Sequence, residues 1–222
     1  MDGEDRVTQP QQLGFGFDEM AEEQRTAHIP STMDEALPFY RKLIERHHAA
    51  MIAGDVDKTM AIREEAQDLA VKLNGGTLMG ICGAPDAPAC VLERDTAAPP
   101  GTVPLWGQEG DFTIDFRGIP VRIEQDGIFG IGAGFGPHLG FGAHAVDYQR
   151  PFISETGYRS FLGIHGDMPV GMTPDVLAGE AIKAYVDKEC KGKLRKIDGS
   201  HVEREMARRA AKANPQQREP DL

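Results

Sequence analysis

Between residues 130 and 142 the chain places glycine at 130, 132, 134, 136, 140 and 142, always at even positions. Successive side chains of an extended strand point to opposite faces, so this period puts all six on one face. Phe129, Ile131, Ala133, Phe135, Leu139, Phe141, Ala143 and Ala145 then share the other face. The spacing predicts a Gly-rich β-hairpin with Pro137 in its turn, one apolar face against a core and one nearly free of side chains. A bare face admits close approach of another backbone, a helix or a flat ligand. The same glycines exclude other structures. No Lys-Ser/Thr follows at phosphate-loop spacing, and the third glycine of Gly130-Ile131-Gly132-Ala133-Gly134 arrives too early for a dinucleotide fingerprint. Residues 127–146 form an uncharged stretch of 20 residues, the length of a membrane span, yet they hold seven glycines and Pro137. A helix there is disfavoured by about 10 kcal/mol, so no membrane association is expected.

The flanking segments point to an α+β fold. Tyr40, Leu43, Ile44, His47 and Met51 fall on one helical face. Pro38 conflicts with a helix begun at the Thr32–Glu35 capping box, so the helix is expected to start near Pro38 and to end at Gly54. Asp57 is expected to cap a second helix, with Ile62, Ala66, Leu69, Ala70 and Leu73 inward and a stop at Asn74-Gly75-Gly76. The short connection makes this an N-terminal antiparallel helical hairpin over 31–76. Short strands are expected near Thr77–Ile81 and Cys90–Glu93. Phe112, Ile114 and Phe116 alternate with polar residues, turn at Arg117-Gly118 and return through Ile119–Glu124, an antiparallel β-meander. Thr173, Pro174 and Asp175 open a C-terminal helix packed on the sheet through Leu177, Ala181, Ala184, Tyr185 and Lys188, with Gly192 at its end. Ser200 and Glu203 are expected to form a capping box for a short basic helix. The divisions are therefore an acidic, disordered tail at 1–30, the hairpin at 31–76, an α+β domain at 77–192 and a basic C-terminal tail at 193–222.

Charge refines this division. The net charge of −11 argues against nucleic-acid binding by the whole surface. It is unevenly spread: residues 173–222 hold nine acids and eleven bases, whereas every earlier segment is net acidic. Nucleic acid is thus a possible partner only through the stretch containing Lys188, Lys191, Lys193, Arg195, Lys196, Arg204, Arg208, Arg209 and Lys212. Residues 1–6 carry three acids and lead into no apolar run, and the three cysteines (Cys82, Cys90, Cys190) suit no disulfide framework or zinc spacing. A cytoplasmic location with reduced thiols is expected. Leu13-Gly14-Phe15-Gly16-Phe17 is an apolar island in the acidic tail, either a short docking peptide or a chance cluster.

Two clusters carry candidate chemistry. Arg150, Tyr158, Arg159 and Ser160, with Ser154, Glu155, Thr156 and Gly157, resemble an anion- or partner-binding loop, against the plainer alternative of an exposed turn with a Glu155–Arg159 pair. His144, His165 and Asp167 are the candidate ligands of a divalent metal. His138 is excluded because it lies about 15–20 Å from His144 in either strand geometry. Asp147 is excluded because it faces the other side. His47, on an apolar stripe, is expected to be a core histidine. No cofactor is expected beyond a possible divalent metal. The function these features favour is a non-enzymatic binding or accessory module that takes a protein partner or self-associates through the Gly-rich hairpin and the Arg/Tyr loop. The alternatives are a metal- or anion-dependent hydrolase or transferase using His144, Tyr158, Arg159, His165 and Asp167, and nucleic-acid binding through the basic C-terminus.

Overall fold

Thr32, itself in extended conformation, opens helix α1, Met33–Ala53. Pro38 lies inside this helix and does not delay its start. Met33 begins the helix so close to Pro38 that the proline forfeits only its own bond to the Asp34 carbonyl, and Asp34 is exposed to water. The Thr32 hydroxyl bonds the Glu35 carboxylate at 2.9 Å. Ala36, Tyr40, Leu43, Ile44, His47, Ala50 and Met51 are the buried face, and Gly54 (φ 70°) caps the helix by donating to the Ala50 and Met51 carbonyls. Helix α2, Val56–Leu73, returns antiparallel with Ile62, Ala66, Leu69 and Ala70 inward. Its cap is Asp55, whose carboxylate accepts from the Lys58 N–H at 3.0 Å, and Asp57 sits in the first turn. Asp55→Ala is expected to lower stability by about 1 kcal/mol in urea unfolding, with Asp57→Ala costing less than half of that.

The structure is a computed structural model that describes residues 25–130, 139–162 and 169–213. Neither strand expected before residue 100 forms. Pro88 at the first helical position sets up helix α3, Pro88–Thr96, which carries Cys90 and Glu93 and packs on α1 and α2. Together α1, α2 and α3 enclose one core with Ile29, Leu105 and Ile128, in which Tyr40 stacks on Phe129 (centroids 5.7 Å apart).

The sheet follows. Strands β1 (Gly110–Phe116) and β2 (Ile119–Gln125) pair antiparallel with Phe116 opposite Ile119. Arg117 and Gly118 both have positive φ (55° and 76°), the two-residue turn that matches strand twist. Strand β3 (Phe141–Ala145) pairs with β2, and β4 (Tyr158–Phe161) with β3, giving the order β1-β2-β3-β4. The expected strand from Phe129 into the Gly-rich hairpin is absent among the described residues. Residues 127–130 form a turn closed by the Gly130 N–H on the Gly127 carbonyl (3.1 Å), and 131–138 lie outside the described residues. At the far end the period-two reading holds: Leu139, Phe141, Ala143 and Ala145 are buried, while Gly142 and His144 look outward.

Helix α4, Pro174–Lys188, covers the inner face with Ala178, Ile182 and Val186 against Phe112, Val121, Ile123 and Phe141. Its buried stripe is rotated from the expected one: Ala184 and Lys188 are exposed, and Ala181 and Tyr185 flank the contact. Helix α5, Gly199–Ala213, is capped by Asp198, whose carboxylate accepts from the Ser200 N–H (2.8 Å) and hydroxyl (2.7 Å). The Ser200–Glu203 box is thereby replaced, because Asp198 has already claimed the Ser200 side chain. Cys82 is exposed, Cys90 half-buried and Cys190 buried, all as free thiols. No helix among the described residues is long and apolar enough to cross a membrane.

Candidate binding surface

One face of the sheet packs on α4, so strand alternation turns every second residue the other way. Register puts Arg122 opposite His144 and His144 opposite Tyr158, while Glu124 faces Gly142 and Gly142 faces Ser160. Arg122, Glu124, His144, Tyr158 and Ser160 thus share the outer face. Gly142 is what lets their rings close over it. A Cβ there would come within 3.1 Å of the Tyr158 ring and 3.2 Å of His144 Nε2. With no Cβ in the way, His144 and Tyr158 tilt together at a centroid distance of 4.7 Å.

His144 Nε2 lies 2.9 Å from the Glu124 carboxylate, and Arg122 lies 3.6 Å from the same group. Burial, then the Arg122 guanidinium, hold the imidazole below its ordinary pKa, against the upward pull of Glu124. The neutral ring therefore donates its Nε2–H to Glu124 at pH 7, a hydrogen bond rather than an ion pair. Beyond this group a cleft of about 580 Å³ opens between the sheet and α5, lined by Arg122, Glu124, His144, Tyr148, Glu205 and Arg208.

The loop into β4 is shaped from within. The Ser154 and Thr156 hydroxyls both donate to the Tyr158 carbonyl, at 2.7 and 2.9 Å. Gly157 (φ 73°) lies under the Tyr148 ring, where any side chain would collide. This loop presents Tyr158, 46% exposed although large and aromatic.

The structure separates residues that their proximity in sequence suggests should act together. Arg159 is opposite Ala143 and faces α4, its guanidinium 4.4 Å from the centre of the Tyr185 ring. It cannot join Tyr158 and Ser160 on one ligand, because adjacent strand residues point apart. Arg150 is exposed in the turn after β3. Glu155 pairs with Arg195 at 3.7 Å, not with Arg159. His165, Asp167 and His138 lie outside the described residues, and so do Gly132, Gly134 and Gly136 of the glycine stripe and Leu13–Phe17. Among the described residues no three His, Cys, Asp or Glu side chains are grouped to hold a metal. Arg122, Glu124 and Tyr148 are members of the site that sequence reasoning did not single out. The outward places of Arg122 and Glu124 were already implied by the alternation of Ile119–Glu124.

The sheet side of the arrangement lies within a segment with known relatives. A family model described as the KlcB third domain matches residues 109–196, which span the sheet and α4. The chain is similar to KlcB. One Escherichia coli protein named KlcB is 46% identical over 115 residues, covering 52% of this chain and 23% of that protein. A second of that name, also from Escherichia coli, is 37% identical over 182 residues, covering 82% of this chain and 43% of that protein. The chain thus spans less than half the length of these two KlcB relatives. No solved structure matches significantly.

Proposed function

We propose that this chain is a non-enzymatic binding or accessory module whose working surface is the outer face of the sheet, with a protein as its partner. The observation that carries this reading is Tyr158: an exposed aromatic ring, positioned by a self-bonded loop and flanked by His144, Arg122 and Glu124 on an open face. Exposed, rigid aromatics beside arginine dominate protein interfaces. The description of the matched family as a third domain supports a module that works beside others in a longer chain. The enzymatic alternative has less support, since Arg159 faces away from His144 and Tyr158. In the basic C-terminal stretch, Arg195 and Arg208 already pair with Glu155 and Glu205, which favours a protein partner over nucleic acid.

The test uses the full chain with a photo-reactive phenylalanine analogue at position 158 and, as control, at Leu78, an exposed apolar site on the helical side. A discrete protein adduct is expected at 158 and not at 78. Tyr158→Ala should weaken the association measured by light scattering about tenfold or more. A strict monomer with no adduct above the Leu78 control overturns the proposal.

A further inference from the structure

A second cleft, of about 750 Å³, runs along α2 and is closed on one side by the turn after β2. Its apolar wall is Met60, Ala61, Ile81, Ile128 and Phe129, and Cys82 and Glu64 also border it. Met60 is 45% exposed, an apolar side chain left to water beside Phe129. The described chain enters next to this cleft. Arg25 pairs with Asp68 and lies 4.0 Å from Glu64, while Lys72 donates to the Thr26 and Ile29 carbonyls at 2.8 and 2.7 Å. The entry point is therefore pinned to α2 within one turn of the cleft.

Ahead of Arg25 lie 24 residues, among them Leu13-Gly14-Phe15-Gly16-Phe17. In extended form Leu13, Phe15 and Phe17 share one face, and the two glycines leave the other bare. The eight steps from Phe17 to Arg25 reach as far as about 26 Å. From Glu64 to the far end of the cleft at Asp57 is only about 10 Å along the helix. A tether this short holds the segment at an effective concentration in the millimolar range, ahead of any dilute competitor. We propose that Leu13–Phe17 of this chain docks in the α2 cleft, with Phe15 and Phe17 against Met60, Ile128 and Phe129. A foreign ligand reaching that cleft must displace it.

Native Cys82 on the cleft wall supplies the test. In the full chain carrying Cys90→Ser and Cys190→Ser, Phe17→Cys should be joined to Cys82 by a short bifunctional maleimide, within one molecule and in high yield. The product should vanish with Cys82→Ser and fall at least fivefold with Phe15→Asp. Oxidative footprinting should show Met60 at least threefold more reactive in Phe15→Asp/Phe17→Asp than in the unaltered chain. Cross-linking no better than from Gly3→Cys, products only between two molecules, or unchanged Met60 reactivity would each overturn the proposal.

Discussion

Trp106→Ala is expected to lower the stability of the protein by about 3–5 kcal/mol in urea unfolding. The indole is 1% exposed and packs with Met51 of α1, Leu139 at the entry to β3 and Leu177 of α4. It is thus the filling between the helical layer and the sheet, where neighbours on three separate elements cannot all collapse into the space left. Its Nε1–H also donates to the Met172 carbonyl at 2.9 Å, which the alanine would leave without that partner. The residue's backbone serves the same junction. Its carbonyl accepts from His47 Nδ1 (2.9 Å) and its N–H donates to His48 Nδ1 (3.1 Å). Both bonds survive truncation, so the loss measures packing and the indole bond alone. Trp106→Phe keeps most of the ring contact and should cost less than half as much. Equal losses for the two variants would mean that the Nε1 bond, not the packing, joins the layers.

That junction was not legible in the sequence, and the reason is physical. Residues 77–110 hold five prolines and no sustained period, so neither α3 nor the Trp106 turn announces itself. Two periods carried through. The face of α1 and the strands around Arg117-Gly118 follow from spacing alone, because a half-buried helix or strand must repeat its apolar residues. Errors concentrate where two polar residues compete for one role. Asp55 rather than Asp57 caps α2, and Asp198 takes the Ser200 hydroxyl. The α4 stripe was misjudged because small alanines make several faces of that helix look alike. At the candidate site, the alternation that places His144 beside Tyr158 also carries Arg159 away from them, so proximity along the chain was a poor guide there. Glu124, the partner of His144, needed the β2–β3 register, which a fifteen-residue connection hides from sequence.

Glu93→Gln is expected to stabilise the protein at pH 8 by on the order of 2–3 kcal/mol and to change the shape of its stability–pH profile. Burial, reinforced by the Glu109 and Asp126 carboxylates, pushes the Glu93 carboxyl up to about 7, although the Phe129 N–H bonds it at 2.8 Å. The folded chain therefore holds this proton more tightly than the unfolded chain. Stability from this group is fully present below about pH 4.5 and is lost as pH rises through 7. His47 acts in the opposite sense. Burial, then Arg63, lower its pKa to about 4. Its geometry gives the cause: Nδ1–H is committed to the Trp106 carbonyl, and Nε2 accepts from Arg63 Nε at 3.1 Å, so an added proton would face a donor. Stability from His47 is present above about pH 6.5 and is lost as pH falls through 4. Between about pH 4.5 and 6.5 the two slopes have opposite signs and similar size, so these two contributions nearly cancel there, and above pH 6.5 the Glu93 loss stands without the His47 gain. The substituted amide retains an oxygen for the Phe129 N–H but cannot titrate. The stability difference, variant minus unaltered chain, should therefore grow by roughly 1.4 kcal/mol per pH unit between about pH 4.5 and 7 and level off above 7. Urea midpoints measured at half-unit steps from pH 4 to 8 decide it: parallel profiles for the two proteins would show that Glu93 titrates as an ordinary carboxylate and that the turn at 127–130 does not rest on its protonated form.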